Sequence, residues 1–448
     1  MVSRHRFRGL LPAGYARCLA NREFRRMQPG FLISFLGDGM SLLGVAWLAL
    51  KLAAPDSRPA VVGLAIAAYS LPAAVGSFAL GRWLSSRSAR TLILLDSLLR
   101  GVVFTLIPVL HWLRLLDATV FIALLALSSL LHAWGIAGRQ TFVAECLSQE
   151  DRLAGHSLVG SQEQLSYITG PPLAGLVASV FGPAAVLAFD AVSYLYLAFM
   201  AARISGDGAV GRRPAIPLRR TGRTLVRHPA LLGSLLLSFA FNLLYGPIEV
   251  AVPVFVAVRL GGNPALLGWI WGAFGVGAVI GALIAGTLRR LPFWPVVLGI
   301  VAGWGLAMLP LAEFGTFAAG IAGFGLGGLI YAPYGPVTIT FLQQQAPSDE
   351  LVSLSAFRSA VSVMASPLGA ALGGLLVAEF GPVGTIRLSG LTTIGLAAFG
   401  AGAVLLVRLY RGSRGSGWSQ GSPPWPPSAR RRGLVAPSPA EPVLDVDR

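Results

Sequence analysis

The sequence predicts an all-α membrane protein: twelve transmembrane helices in two six-helix repeats, with both termini in the cytoplasm. Three observations carry that expectation. The 448 residues are 54% hydrophobic and only 12% charged, where a soluble chain carries roughly 25% charged residues. The apolar residues are gathered into long runs, and a bilayer-spanning helix needs about 20 of them. Finally, Leu173–Pro183 reads LAGLVASVFGP and Leu372–Pro382 reads LGGLLVAEFGP, the same phrase 199 residues later.

The runs fall at residues 31–54, 60–80, 91–113, 118–138, 157–180, 183–202, 231–257, 265–288, 293–312, 315–342, 354–378 and 387–408. The first follows a basic stretch, as a signal peptide does, but it is long enough to span and lacks a cleavage site, so it counts as a helix. Arginines set the orientation, because basic residues concentrate on the cytoplasmic side. With the N-terminus inside, 28 basic residues fall on that side and five, Lys51, Arg58, Arg114, Arg259 and Arg387, on the other. A net charge of +16 distributed in this way orients a membrane protein and is no nucleic-acid footprint. The expected partners are the lipid bilayer and a small-molecule substrate, with no nucleic acid, and the chain is expected to work as a monomer in the plasma (inner) membrane.

The same pattern divides the chain. Residues 1–30 are a basic cytoplasmic N-terminus, 31–202 the first bundle, 203–230 an Arg-, Gly- and Pro-rich linker, 231–408 the second bundle, and 409–448 a disordered tail too polar to bury a core. Gly63, Gly76 and Gly81 precede Gly268, Gly281 and Gly286 by 205 residues each. Helices 2 and 8, and 5 and 11, therefore correspond in a parallel repeat. Cys18 and Cys146 have no metal-ligand spacing and are read as free thiols.

Five acids fall inside spans, where an unpartnered charge is costly and each must face the bundle, pair or take up a proton. Asp38, about seven residues into the first span and flanked by Gly37 and Gly39, either couples protons or makes structural hydrogen bonds. Asp96 and Arg100 stand at the i,i+4 spacing of a helical ion pair, structural or gating. Glu163 is a second proton-coupling candidate, or a partner for Arg100 or Arg139. Asp190 and Glu249 either line the outer half of a cavity or hydrogen-bond there. Asn242, Tyr245, Tyr331 and Tyr334, with Trp269 and Trp271, suit an aromatic or amphipathic substrate, or serve as lipid contacts. Gly170-Pro171-Pro172, with Gly175, reads as a kink that neighbouring helices must accommodate. No Walker loop, nucleophile elbow or metal motif occurs, so neither an enzyme nor an ATP-driven pump is expected. No metal or cofactor is called for, and a proton gradient is the energy source.

The order of short motifs resembles the major facilitator superfamily, in the branch of macrolide-efflux-type and enterobactin-exporter-type proteins. The residues carrying it are Leu36-Gly37-Asp38-Gly39, Asp96-Ser97-Leu98-Leu99-Arg100, Arg139-Gln140, Glu150-Asp151-Arg152-Leu153, Ser161–Gly175 and Arg227-His228-Pro229. The family's loop signature survives only as Gly81 and Arg90, with Ser85 and Ser86 where the resemblance predicts an acid and an arginine. The antiporter-type pattern of helix 5 survives as Gly170-Pro171-Pro172-Leu173-Ala174-Gly175. The resemblance implies rocking of two bundles around a central site and proton-coupled export of a hydrophobic or amphipathic drug-, macrolide- or siderophore-type molecule. An uptake symporter or lipid flippase of the same fold, and a non-transporting sensor or assembly partner, are the alternatives.

Overall fold

The structure, a computed structural model, describes residues 13–84, 86–204, 218–347 and 350–413. Its helices are α1 (Ala13–Ala20), α2 (Arg22–Leu52), α3 (Arg58–Ser70), α4 (Pro72–Ala79), α5 (Gly81–Leu84), α6 (Ala89–Trp112), α7 (Ala118–Ser129), α8 (His132–Cys146), α9 (Arg152–Phe181) and α10 (Pro183–Ala202). There follow α11 (Leu218–Arg227), α12 (Pro229–Arg259), α13 (Pro264–Ile284), α14 (Phe293–Phe314), α15 (Phe317–Tyr331), α16 (Tyr334–Gln345) and α17 (Leu351–Ser413). Ten stretches among the described residues are long and apolar enough to cross a membrane. Residues 205–217 of the linker, the tail beyond 413 and Ser85 lie outside the described residues, and α11 occupies the linker's end.

The first span begins earlier than its apolar run. The Asn21 side chain accepts from the backbone N–H of Glu23 and Phe24 and so starts α2 at Arg22, an N-cap that satisfies two otherwise orphaned donors. Asp38 is therefore corrected to the middle of the helix, roughly 24 Å from its start at 1.5 Å per residue. The preceding α1 is tied down by Arg17, whose Nε lies 2.8 Å from Asp151 Oδ1. Its Cys18 is fully buried, and burial, with the Asp151 charge, raises the thiol above its usual pKa.

The repeated phrase is a helix–turn–helix junction. Gly182 (φ 86°, ψ 162°) ends α9 before Pro183 opens α10. Gly381 (φ 69°, ψ 170°) interrupts α17 before Pro382. Both glycines hold a positive φ that a side chain would disfavour, and both prolines occupy a helix start, where the missing N–H costs nothing. The long α17 is thus two helices joined at Gly381.

Of the spaced glycines, Gly63 and Gly268 make the crossings between the halves, while Gly76 and Gly281 pack on Leu130 and Leu329 of their own half. A methyl group on Gly63 would lie 2.7 Å from the Ala370 carbonyl oxygen and 3.0 Å from Gly374 Cα. One on Gly268 would lie 2.6 Å from the Pro171 carbonyl oxygen and 3.1 Å from Gly175 Cα. The two contacts are one motif used twice, displaced by 205 residues on one helix and 199 on the other. The α9 helix runs through Pro171 and Pro172 without a break, so this stretch acts as a contact surface. Both crossings lie at the same end of the bundle, near the starts of α3 and α13. Towards the other end, Leu153, Leu283 and Val363 of these helices, and Val75 of α4, which follows α3, are exposed.

Candidate functional site

A polar cluster is buried in the first half, where α2, α6, α8 and α10 meet. Arg100 of α6 is 1% exposed, and its Nη1 donates to Asp38 Oδ1 of α2 at 3.2 Å. The same nitrogen donates to His132 Nδ1 of α8 at 2.8 Å and to Tyr194 Oη of α10, while the Tyr194 hydroxyl donates to Asp38 Oδ1. The guanidinium also lies 4.7 Å from the Tyr194 ring centroid and 5.2 Å from that of Tyr69, positions in which ring quadrupoles favour a cation. Arg100 is thus held from several sides, and Asp38 is its accessible partner, with 16% of its side chain exposed.

The expected Asp96–Arg100 pair is not made, and that expectation is corrected. Arg100 reaches across to α2 instead, and neither carboxylate oxygen of Asp96 has a hydrogen-bond partner. Asp96 is 1% exposed and occupies the space left by Gly135, where a methyl group would come within 1.8 Å of Oδ2. His132 Nδ1, which accepts from Arg100, lies 3.9 Å from its Oδ2.

Asp190 is also corrected. It is fully buried and lines no cavity, because Ser41 and Ser193 donate to its two carboxylate oxygens. It faces Gly37, whose missing side chain provides its room: a methyl there would lie 2.2 Å from Asp190 Oδ1. Gly39, on the other side of Asp38, crosses Gly170 of α9. The two glycines therefore fix the position of Asp38 between α10 and α9. Glu163 of α9 lies within electrostatic reach of Asp38 and Arg139 and beside Tyr167, whose side chain is 54% exposed. Gly81 starts the short α5, and Arg90 donates to the last carbonyls of α10, Ala201 and Ala202, at 3.1 and 2.8 Å.

The second half brings together the other candidates. Glu249 of α12 is half-buried and accepts from Ser366 Oγ at 3.0 Å. Tyr245, one turn away, lies 5.5 Å from Trp304, 6.3 Å from Tyr331 and 6.4 Å from Trp271, ring centre to centre. Tyr331 stacks on Tyr334 at 6.1 Å, and the Tyr334 hydroxyl is 2.9 Å from Ser238 Oγ. Asn242 turns its amide back to the Ser238 carbonyl of its own helix, and Trp269 lies outside the cluster, 48% exposed. Asp38 with its flanking glycines and Tyr245 with Gly246 occupy matching places. Gly39 crosses Gly170, and Gly246 crosses Gly369, again 199 residues further on.

Tyr69, His132 and Tyr194 contact Arg100 and were not among the residues that sequence reasoning singled out. Each is an isolated polar residue in an apolar helix, and only the fold brings them to Arg100. Chemically, the cluster is a fixed guanidinium with one accessible carboxylate beside it. Protonating that carboxylate would remove the charge opposite Arg100 and free its donors. Among the described residues there is no group of three or more metal-ligating side chains.

The sequence profile of the Major Facilitator Superfamily matches residues 29–261. The chain belongs to the Major Facilitator Superfamily. It is a multi-pass membrane transporter of small molecules, and its relatives and solved neighbours agree with that assignment. It is 25% identical over 348 residues to the multidrug efflux pump Tap of Mycolicibacterium fortuitum, covering 74% of this chain and 84% of that protein. It is 25% identical over 359 residues to an uncharacterized MFS-type transporter, y4rN, of Sinorhizobium fredii, covering 77% and 87%. The crystal structure of nucleoside transporter NupG superposes with a TM-score of 0.66 at 11% identity, over 85% of this chain and 98% of that one. A bacterial homologue of the iron transporter ferroportin in an inward-facing state gives 0.63 at 15%, over 83% and 98%. At such identities the superpositions establish the fold alone.

Proposed function

We propose that this superfamily member exports a hydrophobic or amphipathic small molecule from the cell in exchange for protons. The observation carrying the proposal is the Asp38–Arg100 pair, in which a water-accessible carboxylate faces a guanidinium fixed by Tyr194, His132 and the Tyr69 ring. Asp38 is the coupling residue: a proton arriving there competes with Arg100, and the freed arginine reorganises the α2–α6–α10 contact. Glu163, beside Tyr167 on the adjacent α9, relays or shares that proton. Tyr245, Tyr331, Tyr334 and Glu249 form the substrate-facing cluster of the second half, a group of rings and one acid suited to amphipathic cations. The relatedness to efflux pumps supports the outward direction.

In this reading the chain crosses the plasma membrane twelve times. To the ten stretches are added α9 and the separation of α17 into two helices at Gly381. Both termini are then cytoplasmic, and the glycine crossings Gly63–Gly374 and Gly175–Gly268 close the external end. The halves rock about those crossings, with one chain as the working unit.

The test uses everted vesicles, a panel of fluorescent cationic and macrolide-like compounds, and an imposed pH gradient. Wild-type protein is expected to accumulate at least one compound, and Asp38→Asn to lose that accumulation by about tenfold or more while inserting normally. Accumulation unchanged in Asp38→Asn removes Asp38 as the coupling residue. Gradient-driven movement out of everted vesicles establishes uptake instead.

A further inference from the structure

A cavity of about 1560 Å³ lies apart from the polar cluster. It is a groove between the first turns of α14, the last turns of α17, the start of α12 and the end of α16. The helices α14 and α17 are pinned at their far ends, where Arg387 Nε meets Glu313 Oε1 at 2.8 Å. They cross closely at mid-length, where a methyl on Gly305 would lie 2.6 Å from the Gly390 carbonyl oxygen. Beyond that crossing, their other ends form facing walls of the groove. One wall carries Phe293, stacked on Phe341 with ring centres 3.7 Å apart, and Trp294. The opposite wall carries Phe399, Ala403 and Val407 of α17.

The rim differs in kind from the walls. Arg227, His228, Arg290 and Arg408 line the groove where α12 and α14 begin and α17 ends, and all four side chains are exposed. Among the described residues no Asp or Glu lines it. The volume exceeds the roughly 300–1,000 Å³ typical of a drug-sized pocket, and the absence of an acid leaves a cationic substrate without a counter-charge. The chain beyond residue 413 carries five arginines against Glu441, Asp445 and Asp447, a net positive charge and so the wrong sign for this rim. An apolar slot closed by three guanidiniums at a helix-end boundary matches two acyl chains beneath an anionic phosphate, and basic pockets between transmembrane helices recognise such head groups.

We infer that this groove is a binding site for one anionic phospholipid. Its acyl chains lie between Trp294 and Val407, and its phosphate sits among Arg227, Arg290 and Arg408. The site depends on the chain's membrane location but not on the direction or coupling of transport, and its test reads lipid alone.

Native mass spectrometry of detergent-purified protein, re-exposed to equal phosphatidylglycerol and phosphatidylcholine, reads occupancy directly. Wild type is expected to retain phosphatidylglycerol by about tenfold over phosphatidylcholine. The combined Arg227→Gln, Arg290→Gln, Arg408→Gln variant is expected to bring the two to parity. A second readout needs no charge variant: phosphatidylglycerol with brominated acyl chains should quench part of the wild-type tryptophan fluorescence, and that part should vanish in Trp294→Phe. Equal retention of both lipids by wild type, unchanged preference in a folded triple variant, quenching that persists in Trp294→Phe, or recovery of a non-lipid amphiphile at the site would each overturn the proposal.

Discussion

At the residue scale, Arg100 is the most committed side chain in the molecule. It combines a buried ion pair, two further hydrogen-bond partners and stacking rings. Removing one member of a buried pair strands the other, at a cost of about 3–5 kcal/mol. Arg100→Ala is therefore expected to lower the melting temperature in detergent strongly, and Arg100→Lys less, because the ammonium keeps the charge but loses the planar fork. Asp96 gives the opposite expectation. Its carboxylate is buried without a hydrogen bond, so Asp96→Asn, which removes a net charge at nearly constant volume, should leave thermal stability unchanged or raised. A marked fall in melting temperature for Asp96→Asn would show that Asp96 balances Arg100 through space. The i,i+4 spacing of this pair was legible in the sequence, but the side chains' choice of partner was not. Arg100 had a better acceptor 62 positions away along the chain, and no local pattern encodes that distance.

At the element scale, the glycines explain why the helices meet where they do. The two FGP junctions were visible as a repeated phrase, and the structure gives the repetition a reason: each glycine supplies a positive φ between two antiparallel helices. Replacing either by alanine should cost about 1–2 kcal/mol through the left-handed backbone conformation. The check is a matched thermal unfolding series of Gly182→Ala, Gly381→Ala and, as an open control, Gly299→Ala, whose added methyl meets nothing within 4 Å. By helix propensity alone Gly299→Ala, inside α14, should hold or raise stability, so a loss there equal to that at the junctions would show that positive φ is not what the junction glycines supply. Apolar length located the spans, yet the start of α2 was missed because Arg22–Gln28 is polar. The Asn21 cap, rather than hydropathy, decides that boundary.

At the scale of the whole molecule, the two crossings Gly63–Gly374 and Gly175–Gly268 hold the halves together near the starts of α3 and α13. A large side chain at Gly268 has no room beside Pro171 and Gly175, so Gly268→Trp is expected to part the halves there. Ile168 faces Gly275 across the same α9–α13 seam. A cysteine introduced as Ile168→Cys should react with a membrane-impermeant maleimide several-fold faster in the Gly268→Trp background than alone. Equal rates would mean that the seam is not what holds that end shut.

The sequence by itself determined the membrane class, the division into two related halves and the glycine positions, because hydropathy, arginine distribution and internal repetition are properties of linear order. It also supplied Asp38, Glu163, Glu249 and the tyrosines as a short list, since charge and aromatic rings are rare in apolar helices. Only the tertiary structure decided their partners. It put Asp38 opposite Arg100, left Asp96 without a hydrogen bond against Gly135, and enclosed Asp190 between two serines. Those outcomes depend on which helix faces cross and how closely, and the faces are set by packing of the whole bundle rather than by any one segment.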